Sequence, residues 1–332
     1  DAETLMRLLA SYIHHPNVAG ATILSLGCQN AQLDRFRDIE KSLFPESSKP
    51  RVYLEHQQIG DEDTFIRQAI RDTIHQMSHT PKVIREPVPL SELVIGLECG
   101  GSDGFSGITA NPLLGEISDL ICAIGGSSIL AEFPELAGME HEIINRCINE
   151  SCARRFMDYF QAYAERARAI GAGFEQNPSP GNIREGLVTL TMKSAGAVRK
   201  GGYGIVNDVL DYTEQVHSSG LNLLCTPGND VESTTALAAS GANIILFTTG
   251  LGTPTGNPIV PVIKVSSNTE LYVKMNDIID FDAGQMISNG RSVMDLRDEL
   301  MEYIIEVAGG RKTRAMQLGQ HDFIPWKRGI SL

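Results

Sequence analysis

Short apolar runs that alternate with helical patterns constrain the fold of this chain more than any other feature. In the first 150 residues the apolar runs are GATILSLG (20–27), RVYLEH (51–56), ELVIGLE (92–98) and SSILAEF (127–133). Helical patterns cover 2–14, 29–43, 61–79, 112–125 and 135–149. Such alternation is typical of a parallel sheet with crossover helices. We therefore predict a first α/β, Rossmann-like domain over residues 1–150.

The second half of the chain repeats this alternation. Apolar runs stand at GLNLLCT (220–226), NIILFTTG (243–250) and IVPVIKV (259–265), with helical patterns over 229–242 and 293–309. An Arg- and Glu-rich helical pattern and the loop EQNPSPGN (175–182) separate the two halves. We predict a helical linker over residues 151–180 and a second α/β domain over 181–332, with mainly parallel sheets flanked by helices in both domains.

The charge and cysteine content disfavour several classes of function. The 332 residues carry a net charge of −13, which disfavours binding to nucleic acid. No apolar run reaches the roughly 18 residues of a transmembrane helix, so we expect no membrane association. The six cysteines include no CxxC pair, which is typical of a reduced, cytoplasmic protein. The chain opens on a helical pattern at Asp1, and we expect that it lacks an N-terminal part.

Polar segments follow four of the predicted strands, at the edge where ligands bind to open parallel sheets. They are GCQN (27–30), EHQQ (55–58), ECGGSDGFSGITANP (98–112) and FTTGLGTPTGN (247–257). In the third, glycines that let a ligand approach stand beside groups that can bind metal, move protons or donate hydrogen bonds: Glu98, Cys99, Ser102, Asp103 and Ser106. The alternative interpretation is a Gly-rich connector with polar turn residues.

Two further features of these segments bear on ligand binding. Asn111 and Pro112 can begin the next helix, whose backbone amides would face an anion. The segment TTGLGTPTG (248–256) contains GxG but precedes another apolar run, which excludes a dinucleotide fingerprint. Its Thr249, Gly250 and Thr253 are still suited to contact a carboxylate or hydroxyl. Lys264, on the next strand, can pair with a substrate carboxylate or lie exposed at a sheet edge.

The histidines and two further lysines give weaker signals. The eight histidines include no HExxH motif, and His56 at a strand end is the best candidate for a site histidine. Lys193 and Lys200 can contact an anion, but a solvent-exposed helix face is the default interpretation.

Several long motifs together resemble a known family. They are ECGGSDGFSGITANP (98–112), ILAEFPELAGME (129–140), NPSPGN (177–182), LNLLCTPGND (221–230), FTTGLGTPTG (247–256), VIKVSSNTEL (262–271) and IDFDAGQ (279–285). Over nearly its whole length the chain is similar to the altronate/galactarate dehydratase family, and NPSPGN and IDFDAGQ favour the altronate branch. The resemblance implies a hydro-lyase that depends on Fe²⁺ or Mn²⁺. It would convert D-altronate into 2-dehydro-3-deoxy-D-gluconate and water in hexuronate breakdown.

Dehydration of a 2,3-dihydroxy acid removes the C2 proton and the C3 hydroxyl, so it needs a base, an acid and a stabilising cation. With the resemblance, we predict catalytic roles for Asp103, Glu98 and Ser102, with Asp103 first as acid or base. Cys99, Glu98 and Cys28 are candidate metal ligands, because a thiolate suits iron. The predicted substrate contacts come from both halves of the chain: Gly100, Gly101, Ser106, Asn111, Thr249, Gly250, Gly252, Thr253 and Lys264.

Three alternatives stay open at this point. The substrate can be galactarate or a related sugar acid. Cys99 can be the nucleophile of a hydrolase that uses His56 or another histidine as its base and requires no metal. The chain can also be a non-catalytic fragment that binds a sugar acid. A homodimer is expected from the family alone.

Overall fold

The fold is α/β, as the alternating pattern predicts. The computed structural model describes residues 1–80 and 84–329, and all strand pairs in these ranges are parallel. The strands are β1 (Ala21–Ser25), β2 (Arg51–Glu55), β3 (Val94–Cys99), β4 (Ser127–Leu130), β5 (Val206–Leu210), β6 (Gly220–Leu224), β7 (Ile244–Thr249), β8 (Val262–Ser266) and β9 (Phe281–Asp282).

Helices connect and flank these strands. They are α1 (Ala2–His14), α2 (Leu33–Leu43), α3 (His56–Ile59), α4 (Glu62–His79), α5 (Ala110–Ala123), α6 (Glu140–Arg146), α7 (Glu150–Ala169), α8 (Pro180–Arg184), α9 (Leu190–Ala197), α10 (Asp230–Ala239), α11 (Thr269–Lys274), α12 (Gln285–Ser288), α13 (Val293–Ala308) and α14 (Arg314–Gln317). Within the described ranges, no helix combines the length and the apolar character that crossing a membrane requires.

The chain forms two compact units whose limits differ from the predicted domains. The first comprises Asp1–Pro87 and the residues from Lys327 onward, and the second comprises Val88–Trp326. The predicted boundaries at residues 150 and 180 do not coincide with the limits of these units. β3 and β4 fall in the predicted first domain, yet they pair with β7 and β6 of the predicted second domain. The sequence pattern identifies strands but not their partners, because parallel pairing joins segments that are distant in sequence.

The predicted linker is also part of the second unit. Its helix α7 contributes Phe156 and Phe160 to the main apolar core of that unit. Phe156 packs against Phe133, which follows β4, with ring centroids 5.4 Å apart. A helix with buried aromatic residues on one face is held by tertiary packing and does not behave as a spacer.

The first unit is a small α/β layer. β1 and β2 pair in parallel, from Ala21 opposite Arg51 to Ser25 opposite Glu55. Its buried apolar residues form two clusters, one of Met6, Ala10, Ile13 and Phe36 and the other of Val52, Leu54, Phe65 and Ala69.

The second unit is built on a seven-stranded sheet in the order β5-β6-β4-β3-β7-β8-β9. β3 pairs with β4 on one side and with β7 on the other. The strands that follow β3 in sequence therefore lie on both sides of it in the sheet. Such a reversal of strand order opens a crevice at the carboxyl ends of the strands. The crevice is expected where the segment after β3 begins.

The residues of β3 pack on both faces of this sheet. Ile95 and Leu97 belong to the core that includes α5 and α13. A methyl group at Gly96 would lie 3.3 Å from Leu237 on α10, which packs against the other face. Because successive side chains of a strand alternate, Cys99 follows the face of Leu97, and Glu98 follows the face of Gly96.

Candidate functional site

Charged side chains meet Cys99 at the carboxyl ends of β3 and β4. Cys99 is the last residue of β3, and Glu132 and Glu135 follow β4. Lys193 lies on α9, and Lys200 follows soon after this helix. These five residues are called the Cys99 cluster. All but Lys193 are almost completely buried.

The contacts within the Cys99 cluster are short and direct. The Cys99 thiol donates to Glu135 Oε2 at 2.8 Å. Lys200 Nζ lies 2.8 Å from Cys99 Sγ, 2.8 Å from Glu132 Oε2 and 3.5 Å from Glu135 Oε2. Glu132 Oε2 also accepts from the Cys99 amide at 3.1 Å. Glu132 has a φ of 68°, and a left-handed backbone at a non-glycine residue is a strain that often marks functional sites.

Lys193 connects the cluster to the NPSPGN loop. Its Nζ lies 2.8 Å from Glu135 Oε1 and donates to Asn177 Oδ1 at 2.5 Å and to Asn182 Oδ1 at 3.3 Å. The Asn182 side-chain amide donates to the Ser102 carbonyl at 2.8 Å. The loop after β3 and the NPSPGN loop are therefore joined through hydrogen bonds that end on the cluster.

Burial and charge shift the pKa values of the cluster in opposite directions. Burial, and then the charges of Glu132 and Glu135, raise the pKa of the Cys99 thiol. Burial, and then Glu135, raise the pKa of Glu132. Burial also opposes ionisation of Glu135, but Lys193 and Lys200 outweigh it and lower the pKa of Glu135 to about 2. Burial opposes protonation of both lysines, yet the acidic partners raise the pKa of each.

Glu98 lies on the opposite face of β3 and is completely buried. Its Oε2 accepts from Ser233 Oγ on α10 at 2.6 Å, while its Oε1 has no hydrogen-bond partner among the described residues. Burial, and then Glu132, raise the pKa of Glu98. A buried, unpaired carboxylate oxygen is costly unless the group is protonated or receives a further partner.

Asp230 joins the site from the start of α10. A methyl group at Gly100 would overlap with the Asp230 carboxylate, so this glycine lets the loop after β3 and α10 approach closely. Burial, and then Glu132 and Glu135, raise the pKa of Asp230 to about 7. This carboxyl group can exchange a proton near neutral pH, as a general acid or base must.

Asp103 belongs to a different group of polar residues, the Asp103 cluster, with Ser106, Ser267 and Asn268. Asp103 Oδ1 accepts from the Ser106 amide, Ser106 Oγ and Ser267 Oγ at 2.9, 2.8 and 2.7 Å. Its Oδ2 accepts from the Asn268 side-chain amide at 3.0 Å. Both carboxylate oxygens are thus engaged in hydrogen bonds that fold the loop and attach it to the segment after β8.

The loop after β7 lies against the loop after β3, because β3 and β7 are neighbouring strands of the sheet. The amides of Gly250 and Leu251 both donate to the Gly101 carbonyl at 2.9 Å. A side chain at Gly250 would overlap with Asp103. Thr249 Oγ1 accepts from the amide of Gly252, whose φ is 90°. Thr253, further along the loop, donates to Thr255 Oγ1 at 3.0 Å.

A small cavity borders the Cys99 cluster. Its volume of about 10 Å³ is close to the minimum for one water molecule. The lining residues are Cys99, Ser102, Ser106, Gly107, Asn111, Leu187, Lys193, Gly196 and Ala197. Four of the predicted site residues, those at positions 99, 102, 106 and 111, therefore share one space, and Asp103 is not among them.

Asn111 has a different local role from the predicted one. α5 begins at Ala110 after Thr109, so Asn111 is not the capping residue. Instead its Oδ1 accepts from Thr248 Oγ1 on β7 at 2.8 Å, and its amide donates to the Gly196 carbonyl at 3.1 Å. The capping prediction is wrong because these partners become neighbours only in the folded sheet.

Lys264 is buried, which excludes the alternative of an exposed edge lysine. Its Nζ donates to Gln320 Oε1 at 2.5 Å. Burial lowers the pKa of Lys264 to about 8, against the opposing charges of Asp280 and Asp322. None of the groups that act on Lys264 belongs to the Cys99 cluster.

The first unit holds Cys28 and His56. Cys28 is exposed, and its Sγ accepts from the Gln57 side-chain amide at 3.0 Å. His56 stacks on Phe65 with ring centroids 4.7 Å apart. The Cys28 and His56 side chains both contact residues of the first unit.

The donor atoms of Cys99, Glu132 and Glu135 fit a divalent cation. One ligand atom from each residue lies within 4.8 Å of the others. Thiolates and carboxylates are both ligands of divalent metal ions in proteins. This group was the metal-ligand set found among the described residues, and it contains Cys99 but neither Glu98 nor Cys28.

Sequence reasoning missed Glu132, Glu135 and Asp230 and treated Lys200 as a surface residue. Signals for the first two were present, since both acids stand in the apolar segment ILAEFPEL directly after a predicted buried strand. No such signal marks Lys200, because RKGG is typical of an exposed helix end.

The fold and the buried cluster define an α/β protein with a group of buried charged residues at the carboxyl ends of two of its parallel strands. The family model described as "D-galactarate/Altronate dehydratase, C-terminal" matches residues 90–331. That described as "D-galactarate dehydratase/Altronate hydrolase, second domain" matches residues 1–80. The chain therefore belongs to the galactarate/altronate dehydratase family, which confirms the resemblance seen in its motifs. The two matched ranges also correspond to the two compact units, except that the second range includes residues from Lys327 onward, which belong to the first unit.

Curated relatives agree with this assignment. The chain is 41% identical to altronate dehydratase of Bacillus subtilis (strain 168) over 100% of this chain and 65% of the relative. It is 39% identical to altronate dehydratase of Escherichia coli (strain K12) over 98% of this chain and 64% of the relative. It is 32% identical to galactarate dehydratase (L-threo-forming) of the same Escherichia coli strain, over 93% and 60%. The chain thus spans less than two thirds of the length of these relatives.

Proposed function

We propose that this chain supplies the catalytic centre of a hydro-lyase that converts D-altronate into 2-dehydro-3-deoxy-D-gluconate and water. The observation that carries this proposal is the buried Cys99 cluster, which joins carboxyl groups, a thiol and two lysines at the carboxyl ends of β3 and β4. Elimination beside a carboxylate needs a proton acceptor, a proton donor and positive charge. The higher identity to the two altronate dehydratases supports altronate over galactarate as substrate.

We infer that Cys99, Glu132 and Glu135 hold a divalent cation, Fe²⁺ or Mn²⁺. When bound, such a cation supplies Lewis acidity that stabilises the negative charge developing on the substrate oxygens. The donor types and their mutual spacing support this assignment.

In this proposal, residues of the chain transfer the protons and bind the substrate. Asp230 would accept the C2 proton or deliver a proton to the departing C3 hydroxyl, a role supported by burial and by the charges of Glu132 and Glu135, which raise its pKa to about 7. Loss of the C2–H and C3–O bonds leaves an enol, which tautomerises to the 2-keto acid. Lys193 attracts the substrate carboxylate, while Ser102 and Ser106 offer hydroxyls that can bind the polyol. In this proposal Asp103 positions the loop, in place of the acid/base role that the sequence favoured.

The cavity beside Cys99 is too small for a six-carbon acid. We infer that the segment of Asn182 and Leu187 moves away when substrate enters. The hydrogen bond from Asn182 to the Ser102 carbonyl would break in this movement. The contacts predicted for Gly100, Gly101, Thr249, Gly250, Gly252 and Thr253 belong to this opened state, while Lys264 contributes to packing.

The predicted cytoplasmic location and homodimer are part of the same proposal. All six cysteines are without disulfide bonds, which supports a reducing compartment. Gel filtration combined with light scattering would test the dimer.

The substrate and the metal can be tested together. The purified protein is treated with chelator, reloaded with Fe²⁺, Mn²⁺ or no metal, and assayed on D-altronate and on galactarate by NMR of the 2-keto acid. We expect turnover of altronate that returns only with metal. Turnover of galactarate alone would overturn the substrate, and full activity in chelator would overturn the metal requirement. Altronate binding without turnover under every condition would favour the non-catalytic alternative.

A further inference from the structure

Lys200 occupies an unusual position within the Cys99 cluster. Its side chain is 1% exposed. Its ammonium contacts Cys99 Sγ, Glu132 Oε2 and Glu135 Oε2, one atom from each residue of the candidate metal-ligand set. The lysine ammonium and a divalent cation would therefore bind to the same three side chains.

Lys193 differs from Lys200 in its hydrogen-bond partners. It also pairs with Glu135, but through Oε1, and it has two further acceptors, Asn177 Oδ1 and Asn182 Oδ1. Every hydrogen bond that the structure gives Lys200 Nζ ends on a candidate ligand. Lys193 can therefore keep hydrogen-bond partners when a metal binds, whereas Lys200 has to share all of its partners or release them.

Two cations on the same ligands repel each other strongly where little water screens them. A lysine ammonium has only donors, so it cannot itself become a ligand while it is charged. Without a metal, in contrast, the ammonium prevents the burial of uncompensated negative charge, which would be costly. Lys200 thus stabilises the three ligands in the metal-free protein and opposes the metal that would replace it.

We propose that Lys200 is a built-in competitor for the divalent cation. Its ammonium holds Cys99, Glu132 and Glu135 together in the metal-free protein and withdraws from them when the metal binds. Lys200 thereby sets the metal affinity of the site. This inference rests on the proposed metal site of the dehydratase.

The test measures metal binding and not turnover. Co²⁺ is titrated into the metal-free 332-residue chain, followed by calorimetry and by the near-ultraviolet absorption of a cobalt–thiolate bond. We expect Lys200→Met to bind Co²⁺ about 10-fold more tightly than wild type or better, a size common for coupled sites. The matched control Lys193→Met should shift the affinity by a clearly smaller factor. Equal or weaker Co²⁺ binding by Lys200→Met would overturn the inference and leave the metal site intact.

A second comparison covers the case in which Lys200→Met does not fold, as circular dichroism would show. Glu132→Gln keeps an amide oxygen as a ligand and removes one buried charge, so Lys200→Met can be added to it with better charge balance. The double variant should bind Co²⁺ more tightly than Glu132→Gln alone, and unchanged affinity would contradict the inference. If wild type shows no cobalt–thiolate absorption that Cys99→Ala removes, the proposed metal site fails, and this inference fails with it.

Discussion

Two buried polar clusters meet the chain near the end of β3, one at Cys99 and the other at Asp103, and they differ in their electrostatics. In the Asp103 cluster, Asp103 accepts four hydrogen bonds from Ser106, Ser267 and Asn268, so both of its carboxyl oxygens have partners. In the Cys99 cluster, burial raises the pKa of Cys99 and Glu132, while two lysines lower that of Glu135. The first arrangement holds a loop in place. The second shifts the pKa values of its own members, a property that is common at functional sites.

This difference changes which residues of one short segment are assigned to chemistry. Asp103 has the more obvious motif, since it stands among glycines in GGSDG. Its carboxylate is nevertheless engaged on both oxygens, whereas Glu98 Oε1 has no partner within the described ranges. We therefore propose that Asp103 positions the loop, and the unpartnered oxygen of Glu98 is the one that needs a further explanation.

The largest expected effect is on Cys99. Cys99→Ala removes a candidate metal ligand, and we expect turnover of altronate to fall by about 100-fold or more. Cys152, another buried cysteine on α7, serves as the control, and Cys152→Ala should retain turnover. The rate at saturating Fe²⁺ and altronate is the measurement. Equal rates in the two variants would remove Cys99 from the site.

Asp230→Asn should lower turnover by about 100-fold, because general acid or base catalysis contributes at least this much. This substitution should also change how the free energy of unfolding depends on pH. The pKa of Asp230 is raised from 3.8 to about 7, so between these values the folded state binds more protons than the unfolded state. Wild-type stability from this group is therefore present below pH 4 and is lost as the pH rises through 7. The amide variant should lack this loss in urea titrations from pH 4 to 8, and an unchanged pH profile would refute the raised pKa.

Asp103→Asn tests the other cluster. The amide cannot accept all four hydrogen bonds, so we expect the free energy of unfolding to fall by about 1–3 kcal/mol. Turnover per folded molecule should fall less than in Asp230→Asn. Urea unfolding and steady-state kinetics on the same preparation separate the two effects. A loss of turnover without a loss of stability would restore Asp103 as the acid or base that the sequence suggested.

The smallest effect is expected at Cys28. This thiol is exposed, belongs to the first unit and is not a member of the candidate ligand set. Cys28→Ser should leave Co²⁺ affinity and turnover unchanged in the titration and assay described above. Loss of the cobalt–thiolate absorption in this variant would instead make Cys28 a ligand.

Much of the fold was predictable, since the pattern of apolar runs depends on local periodicity. The strands around residues 21, 52, 95 and 245 were all identified, as was α10 with Asn229 as its cap. The domain boundary was not predictable in this way. The pairing of β3 with β7 joins segments about 150 residues apart, and no local pattern records such a partner.

The sequence by itself determined the parallel α/β class, the polar segments at the strand ends and the family to which the motifs belong. Only the tertiary structure decided that Glu132, Glu135 and Lys200 converge on Cys99. The physical reason is that apolar periodicity is written in neighbouring residues, whereas the burial of a charge depends on partners from elsewhere in the chain. Lys200, which is 101 residues from Cys99, becomes a buried cation only because a thiol and two carboxyl groups surround it in the folded unit.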